Sequence, residues 1–343
     1  MATHLRHGRL KLAMALLIVA AAVLAAMWWQ RTLGFGERGL VLAPQAQARV
    51  LVIERGDGFN AVLRKLRGLG VTQGSDLEWR LLARKLGVAG KLQVGEYEVP
   101  PGISPDALLR RLGSGEVIQR KFTIVEGWNF RDLRAALAAE DRLKANTQGL
   151  DDAAVMGKLG RGGTFPEGRF LPETYVFTRG TDDIAILDRA AKAMDVALAD
   201  AWEGRQKDLP LATPDELLTL ASIVEKETGK ASERPQIAGV FVRRLRLGMR
   251  LETDPTVIYG MGANYAGNIR KKDLQTDTPY NTYQRAGLPP TPIAMPGRAA
   301  LEAVAHPAAG DALFFVARGN GAHYFSATYA EHAAAVRRYQ LRR

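Results

Sequence analysis

Two glutamates two residues apart, Glu225 and Glu227, stand in the run Ala221-Ser-Ile-Val-Glu-Lys-Glu-Thr228. A carboxyl group at the edge of packed apolar surface keeps its proton near neutral pH, because burial disfavours the charged form. Such a group can protonate a leaving oxygen. Downstream, Leu251-Glu-Thr-Asp-Pro-Thr-Val-Ile-Tyr-Gly260 and Thr278-Pro-Tyr-Asn-Thr-Tyr283 bring hydroxyls, an amide and aromatic faces. These residue types together suit acid/base work on a polar neutral substrate such as a sugar.

The two glutamates need a helix to carry them. Thr213-Pro-Asp-Glu216 is a helix start, with threonine as cap, proline in the first turn and Glu216 placed to close a capping box. The helix should run to Thr228, with Gly229 past its end. At about 100° per residue its apolar face centres on Leu217, Ala221 and Val224. Glu225 and Glu227 then fall on opposite shoulders of that face, and Lys226 points outward. Periodicity does not choose between them. Ser222 and Ala221 give Glu225 small neighbours and room for substrate.

Candidate substrate contacts around this helix are Ser222, Thr253, Asp254, Thr256, Tyr280, Asn281, Thr282 and Tyr283. Asp254 is a candidate second carboxylate, but Asp-Pro also favours a turn in which the aspartate bonds its own backbone. Tyr280, Asn281 and Tyr283 suit a sugar cleft or, equally in kind, a packed aromatic turn. The histidines show no metal-ligand spacing, and His323 and His332 read as surface or packing residues. Cysteine is absent, so no thiolate metal site or disulfide is expected. Nothing resembles a phosphate loop or a dinucleotide fingerprint. No metal or cofactor is expected.

The chain has 343 residues, 47% of them hydrophobic, enough for about two domains. Its formal net charge of +11 is dispersed along the sequence. No RNA-binding signature or zinc-finger spacing accompanies it. An anionic membrane surface or acidic polymer is the better partner, and nucleic acid is not expected.

Leu12 to Trp29 is free of charge and mostly apolar. As a helix it would span about 27 Å, close to a bilayer core. Basic residues precede it and Trp28-Trp29 closes it, which predicts a single transmembrane helix with a cytoplasmic N-terminus. A cleaved signal peptide ending near Ala25-Ala26 is the rival reading. Both put the rest of the chain outside the cytoplasmic membrane.

The expected organisation is α+β throughout. Residues 1–30 would be cytoplasmic tail and anchor, and 31–48 a tether. Residues 49–118 would form a small module, and 119–343 a larger α+β catalytic domain. In the module, strands at 50–53 and 91–99 flank helices at 59–69 and 75–86. A further helix is expected from Ser104 to Leu112 and a strand over 117–125. The strand–helix–helix–strand order resembles the LysM fold, a peptidoglycan-binding module; a spacer without ligand would look the same. Beyond it, Asn129 should cap a helix over 130–139. Residues 141–163 read as surface structure, and 181–202 as a helix.

The motif Ala221–Thr228, the run from Phe241 to Gly260, Tyr280-Asn-Thr-Tyr283, Gly287-Leu-Pro-Pro290 and Ala305-His-Pro307 resemble the YceG-like family. The resemblance covers most of the chain. It implies an endolytic lytic transglycosylase of peptidoglycan, anchored in the inner membrane with its catalytic domain in the periplasm. Such an enzyme cleaves the β-1,4 bond between N-acetylmuramic acid and N-acetylglucosamine in nascent glycan strands and leaves 1,6-anhydro ends. It implies Glu225 as the single acid, then base. Penicillin-binding proteins are the implied protein partners. A lysozyme-like muramidase and a non-catalytic peptidoglycan-binding scaffold are the alternatives. Two positions depart from the family pattern: Thr291 replaces a usual glycine, and Met295 a common asparagine.

Overall fold

The structure, a computed structural model, describes residues 2–41, 49–227 and 229–341, with side chains described from residue 13 onward except 29 and 31–33. It is an α+β protein of two compact units, Met1–Arg120 and Lys121–Arg343.

The first unit begins with a long helix, α1 (Ala2–Phe35). Two strands, β1 (Arg49–Ile53) and β2 (Gly95–Val99), pair antiparallel with Arg49 opposite Val99 and Ile53 opposite Gly95. Between them lie α2 (Phe59–Gly68) and α3 (Asp76–Lys85), and α4 (Pro105–Ser114) follows. Ser75 caps α3 in a complete capping box with Glu78, and Ser104 caps α4 ahead of Pro105. Each such cap is worth about 1 kcal/mol. Leu51, Ile53, Leu66, Trp79, Tyr97 and Leu108 meet in one core.

Part of the stretch expected as a tether is packed. Phe35 is buried edge-on against Trp79 with ring centres 5.2 Å apart. The Gly36 carbonyl accepts from the Asp106 N–H at 3.0 Å, and the Leu40 N–H donates to Ile103 at 2.8 Å. Residues 42–48 of that stretch lie outside the described residues. Among the described residues no helix is long and apolar enough to cross a membrane. The described side chains of the expected span cover residues 13–28 of α1.

The second unit is mostly helical. β3 (Arg120–Thr123) pairs with β4 (Thr174–Phe177), and β5 (Phe314–Ala317) pairs antiparallel with β6 (His323–Ser326). The early helices are α5 (Phe130–Ala139), capped by Asn129, and α6 (Asp152–Lys158), capped by Asp151. The second of these falls in a stretch whose composition indicated only surface structure. The long α7 (Asp183–Gly204) is a spine shared by two cores. Its first half, with Ile186, Leu187 and Ala190, packs with Phe130 and Phe170. Its second half, with Met194, Ala197 and Leu198, packs on α8 (Pro214–Glu227).

The remaining helices are α9 (Arg234–Arg246), α10 (Asp254–Met261), α11 (Lys271–Gln275), α12 (Arg298–Ala305) and α13 (Tyr329–Tyr339). α8 lies against α7, α9, α10 and α12. Every residue from Leu217 to Glu225 is buried. A helix packed on all sides has no solvent face, so the two-shoulder picture from periodicity does not describe it. Solvent is reached at its two ends, at Pro214–Glu216 and at Lys226 and Glu227.

Candidate active site

α8 delivers both glutamates at its C-terminal end, into different surroundings. Glu225 is 8% exposed. Its Oε1 accepts from Arg234 Nη2 at 3.0 Å, and its Oε2 accepts from the Gly297 N–H at 2.9 Å. Arg234 opens α9 and also reaches Glu126 at 3.4 Å. Gly297 lets the Glu126 carboxylate come close, and a Cβ there would push that side chain aside. Glu225 thus ties α8 to the starts of α9 and α12. Both of its oxygens are therefore taken, one by a guanidinium and one by a backbone donor, in charge-assisted bonds.

Glu227, two residues on, lines a cavity of about 440 Å³. Asp254, Tyr283, Glu252, Arg244, His323 and Phe315 also line it. Burial pushes the Glu227 carboxyl above its ordinary value; a hydrogen bond from the Thr253 hydroxyl opposes this, the charge of Asp254 reinforces it, and His323 opposes it. A largely buried carboxyl raised above its ordinary value at the wall of a cleft is the arrangement that acid catalysis needs.

The wall opposite α8 comes from the segment Leu251–Thr256. Thr253 is where a helix-capping side chain would sit, yet it makes no cap bond. Its hydroxyl donates instead to Glu227. Thr282 holds Thr253 in place, accepting from its N–H at 3.0 Å, and Thr256 lies 2.9 Å from Thr282. Glu252 is the one non-glycine residue with positive φ among the described residues, at 50°. Arg244, itself 7% exposed, holds the carbonyls of Arg250 and Leu251, each at 3.0 Å. Backbone strain beside a clamped segment is a recurrent property of sites held in one geometry.

The residues singled out from sequence therefore separate. Asp254 and Tyr283 line the Glu227 cavity, with the Tyr283 hydroxyl donating to Asp254 Oδ1 at 2.7 Å. Asp254 opens α10 rather than a turn, with Pro255 in the first turn of that helix. Thr253, Thr256 and Thr282 are buried at 2%, 0% and 2% exposure, as supports beneath the cleft. Ser222 is fully buried and bonds Thr219 O and the Ile293 N–H, so it gives Glu225 no room for substrate. Asn281 is buried, and its amide ties the carbonyls of Asp273, Leu274 and Thr276 into a turn. Tyr280 faces a different cavity, and its hydroxyl lies 2.8 Å from Thr291 Oγ1, a bond that glycine at 291 would lack.

Two residues to which the sequence reading gave no functional role matter here. His323 lines the Glu227 cavity, and its Nδ1 lies 2.8 Å from Glu233 Oε2. Burial raises Glu233, but its bonds from His323 outweigh this and hold it below the usual range. Glu167 lies between α6 and β4, is 3% exposed and accepts from the Phe130 N–H at 3.0 Å. Burial pushes its carboxyl up to about 7, against the bonds from Phe130 and Tyr259. Neither pairing has a local sequence signal, because the partners are far apart in the chain. Among the described residues no group of acidic and histidine side chains is arranged to hold a metal ion.

A clamped helix-borne carboxyl in a polar and aromatic cleft is the equipment of an acid/base site on a mixed α+β scaffold. The model of the YceG-like family matches residues 51–338, and the chain belongs to that family. It is 31% identical over 306 residues to a Bacillus subtilis protein named endolytic murein transglycosylase, covering 84% of this chain and 83% of that one. A Streptococcus pneumoniae protein of the same name is 30% identical over 262 residues, 66% of this chain and 46% of the relative. A crystal structure titled a putative yceG-like protein, from Listeria monocytogenes, superposes with a TM-score of 0.55 at 29% identity. That match covers 84% of this chain and 99% of the other.

Proposed function

We propose that this protein is a lytic transglycosylase of peptidoglycan that cuts the β-1,4 bond between N-acetylmuramic acid and N-acetylglucosamine within glycan strands. Family membership supports the reaction class, since the relatives named above carry that activity in their names. The observation that carries the site is the Glu227 carboxyl, biased toward its protonated form in an open cleft. Glu225, the acid implied by resemblance alone, is instead engaged by Arg234 and Gly297.

Glu227 protonates the glycosidic oxygen as the bond to the anomeric carbon of muramic acid breaks. As a carboxylate it then takes the proton of the C6 hydroxyl of the same sugar while that oxygen bonds to the anomeric carbon. The ring closes to the 1,6-anhydro product, Glu227 returns to its acid form, and no water is consumed. Intramolecular attack has a large effective concentration, so one carboxyl suffices where ordinary glycosidases use two. Thr253 holds Glu227 in orientation. The Glu233-bound imidazole of His323 faces the same cavity and is placed to meet charge that develops there.

Asp254 favours a second reading. It is a second carboxylate on the Glu227 cavity, as a lysozyme-like muramidase would need to handle water. Mass spectrometry of digested strands separates the two. Anhydromuramic ends from the parent and none from Glu227→Gln support the transglycosylase. Reducing, hydrated ends reject it. Full digestion by Glu227→Gln rejects Glu227, and a protein that only binds strands is then the remaining reading.

The exposed apolar surface of α1, including Leu16, Leu17, Ile18 and Leu24, supports an anchor in the inner membrane with the second unit in the periplasm. The β1–α2–α3–β2 order supports a LysM-like module. Penicillin-binding proteins are proposed as partners because a cutter of nascent strands acts where synthases extend them.

A further inference from the structure

A second cavity in the same unit lies apart from Glu227. It has a volume of about 400 Å³, within the usual range for small-ligand sites. Phe165, Tyr259, Tyr265 and Tyr280 wall it, Arg131 and Asp152 stand at its rim, and the Glu167 carboxyl lies among its lining. Phe165 is 49% exposed, a large aromatic face turned to solvent at the edge of a cavity. Tyr259 and Tyr280 pack edge to face with ring centres 4.9 Å apart, which fixes a rigid wall.

We propose that this cavity binds a pyranose ring of the glycan strand at a distance from the bond being cut. Aromatic faces receive the C–H faces of a sugar, while a carboxyl and a guanidinium receive its hydroxyl and acetamido groups. A flat apolar ligand would make no use of the Arg131 guanidinium, and a purely anionic one would make no use of the aromatic walls. The two cavities share a wall. Asp254, in the first turn of α10, lines the Glu227 cleft, and Ile258, Tyr259 and Gly262 line the second cavity one to two turns on. The loop before Gly287 does the same, sending Tyr283 to one cavity and Tyr280 to the other. A strand lying along α10 would occupy both, which gives the enzyme a hold on sugars beyond the scissile pair. Glu167 carries a proton over much of the neutral range, so it serves as donor as well as acceptor to sugar hydroxyls.

The inference rests on the glycan reading of the Glu227 site, and its test does not depend on cleavage. The full chain bearing Glu227→Gln is titrated calorimetrically with a β-1,4-linked N-acetylglucosamine hexamer, and separately with a free stem pentapeptide. Phe165→Ala and Tyr265→Ala are added singly; both side chains are at least partly exposed, so neither removes core. The expected result is hexamer binding that weakens about five- to tenfold in each variant, the scale of one lost aromatic contact. No hexamer binding by the Glu227→Gln chain, an affinity unchanged within about twofold in both variants, or binding of the pentapeptide instead would overturn the subsite. Strand digestion by the parent separates the two ideas. Anhydro products with Phe165-independent binding remove the subsite and leave the reaction. Phe165-dependent binding without anhydro products removes the reaction and leaves the subsite.

Discussion

The Glu225 carboxylate meets a guanidinium and a backbone N–H; the Glu227 carboxyl, two residues along the same helix, meets buried surface, one hydroxyl and an acidic neighbour. The first environment answers both carboxyl oxygens and joins three helices through them. In the second, burial outweighs the single hydroxyl bond and raises the carboxyl above its ordinary value. Residue type and helical position say little about a carboxyl's role; the count and kind of donors around it say most.

The sharpest way to break that contrast is to neutralise each glutamate in turn. Glu227→Gln should reduce release of anhydro products by at least about 10³-fold, near the upper range for general acid catalysis, with little change in melting temperature. Glu225→Gln should act mainly on stability. Arg234 keeps Glu126 as a partner but loses a buried charge-assisted bond worth about 1.5–3 kcal/mol, a fall of roughly 3–12 °C for a domain of this size. Loss of turnover at unchanged melting temperature in Glu225→Gln, with turnover intact in Glu227→Gln, would exchange the two roles.

Glu167 extends the contrast to a third carboxyl. Its folded pKa lies above its ordinary 4.5, at about 7. The unfolded chain therefore gives up this proton first, and the fold is penalised increasingly from pH 4.5 to about 7. Glu167→Gln lacks the penalty. It should match the parent at about pH 4 and be more stable by up to about 3 kcal/mol at about pH 8, as read by urea denaturation. A variant equally destabilised at both pH values would show that Glu167 is held ionised. The smallest effect is expected from Thr253→Val. It removes the one bond that favours charged Glu227, so the alkaline limb of the pH–rate profile should move to higher pH. A move to lower pH would contradict the orientation assigned to that hydroxyl.

Much of the local structure was legible. Ser75, Ser104 and Asn129 cap the helices where their spacing placed caps, because a cap is a short-range bond between residues three apart. The different surroundings of the two glutamates were not legible. Arg234, Gly297 and Thr253 converge on α8 from three other segments, and a wheel drawn for a half-exposed helix misrepresents one buried on every side from Leu217 to Glu225. Thr253 shows the same limit, since its local pattern fits capping and tertiary contact redirects its hydroxyl to Glu227. His323 reads as a surface or packing residue in sequence because its partner Glu233 lies ninety positions away.

The last turn of α1 ends inside folded protein, with Phe35 against Trp79 and the Gly36 carbonyl bonded to α4. A helix finished in this way is a mast and not a leash. Tilting α1 would have to tilt the small β1–α2–α3–β2 body with it, or pull an aromatic ring out of a sealed core. If α1 is set in a bilayer as proposed, the orientation of the first unit over the lipid surface then follows from the packing of Phe35 and the backbone bonds of Gly36 and Leu40.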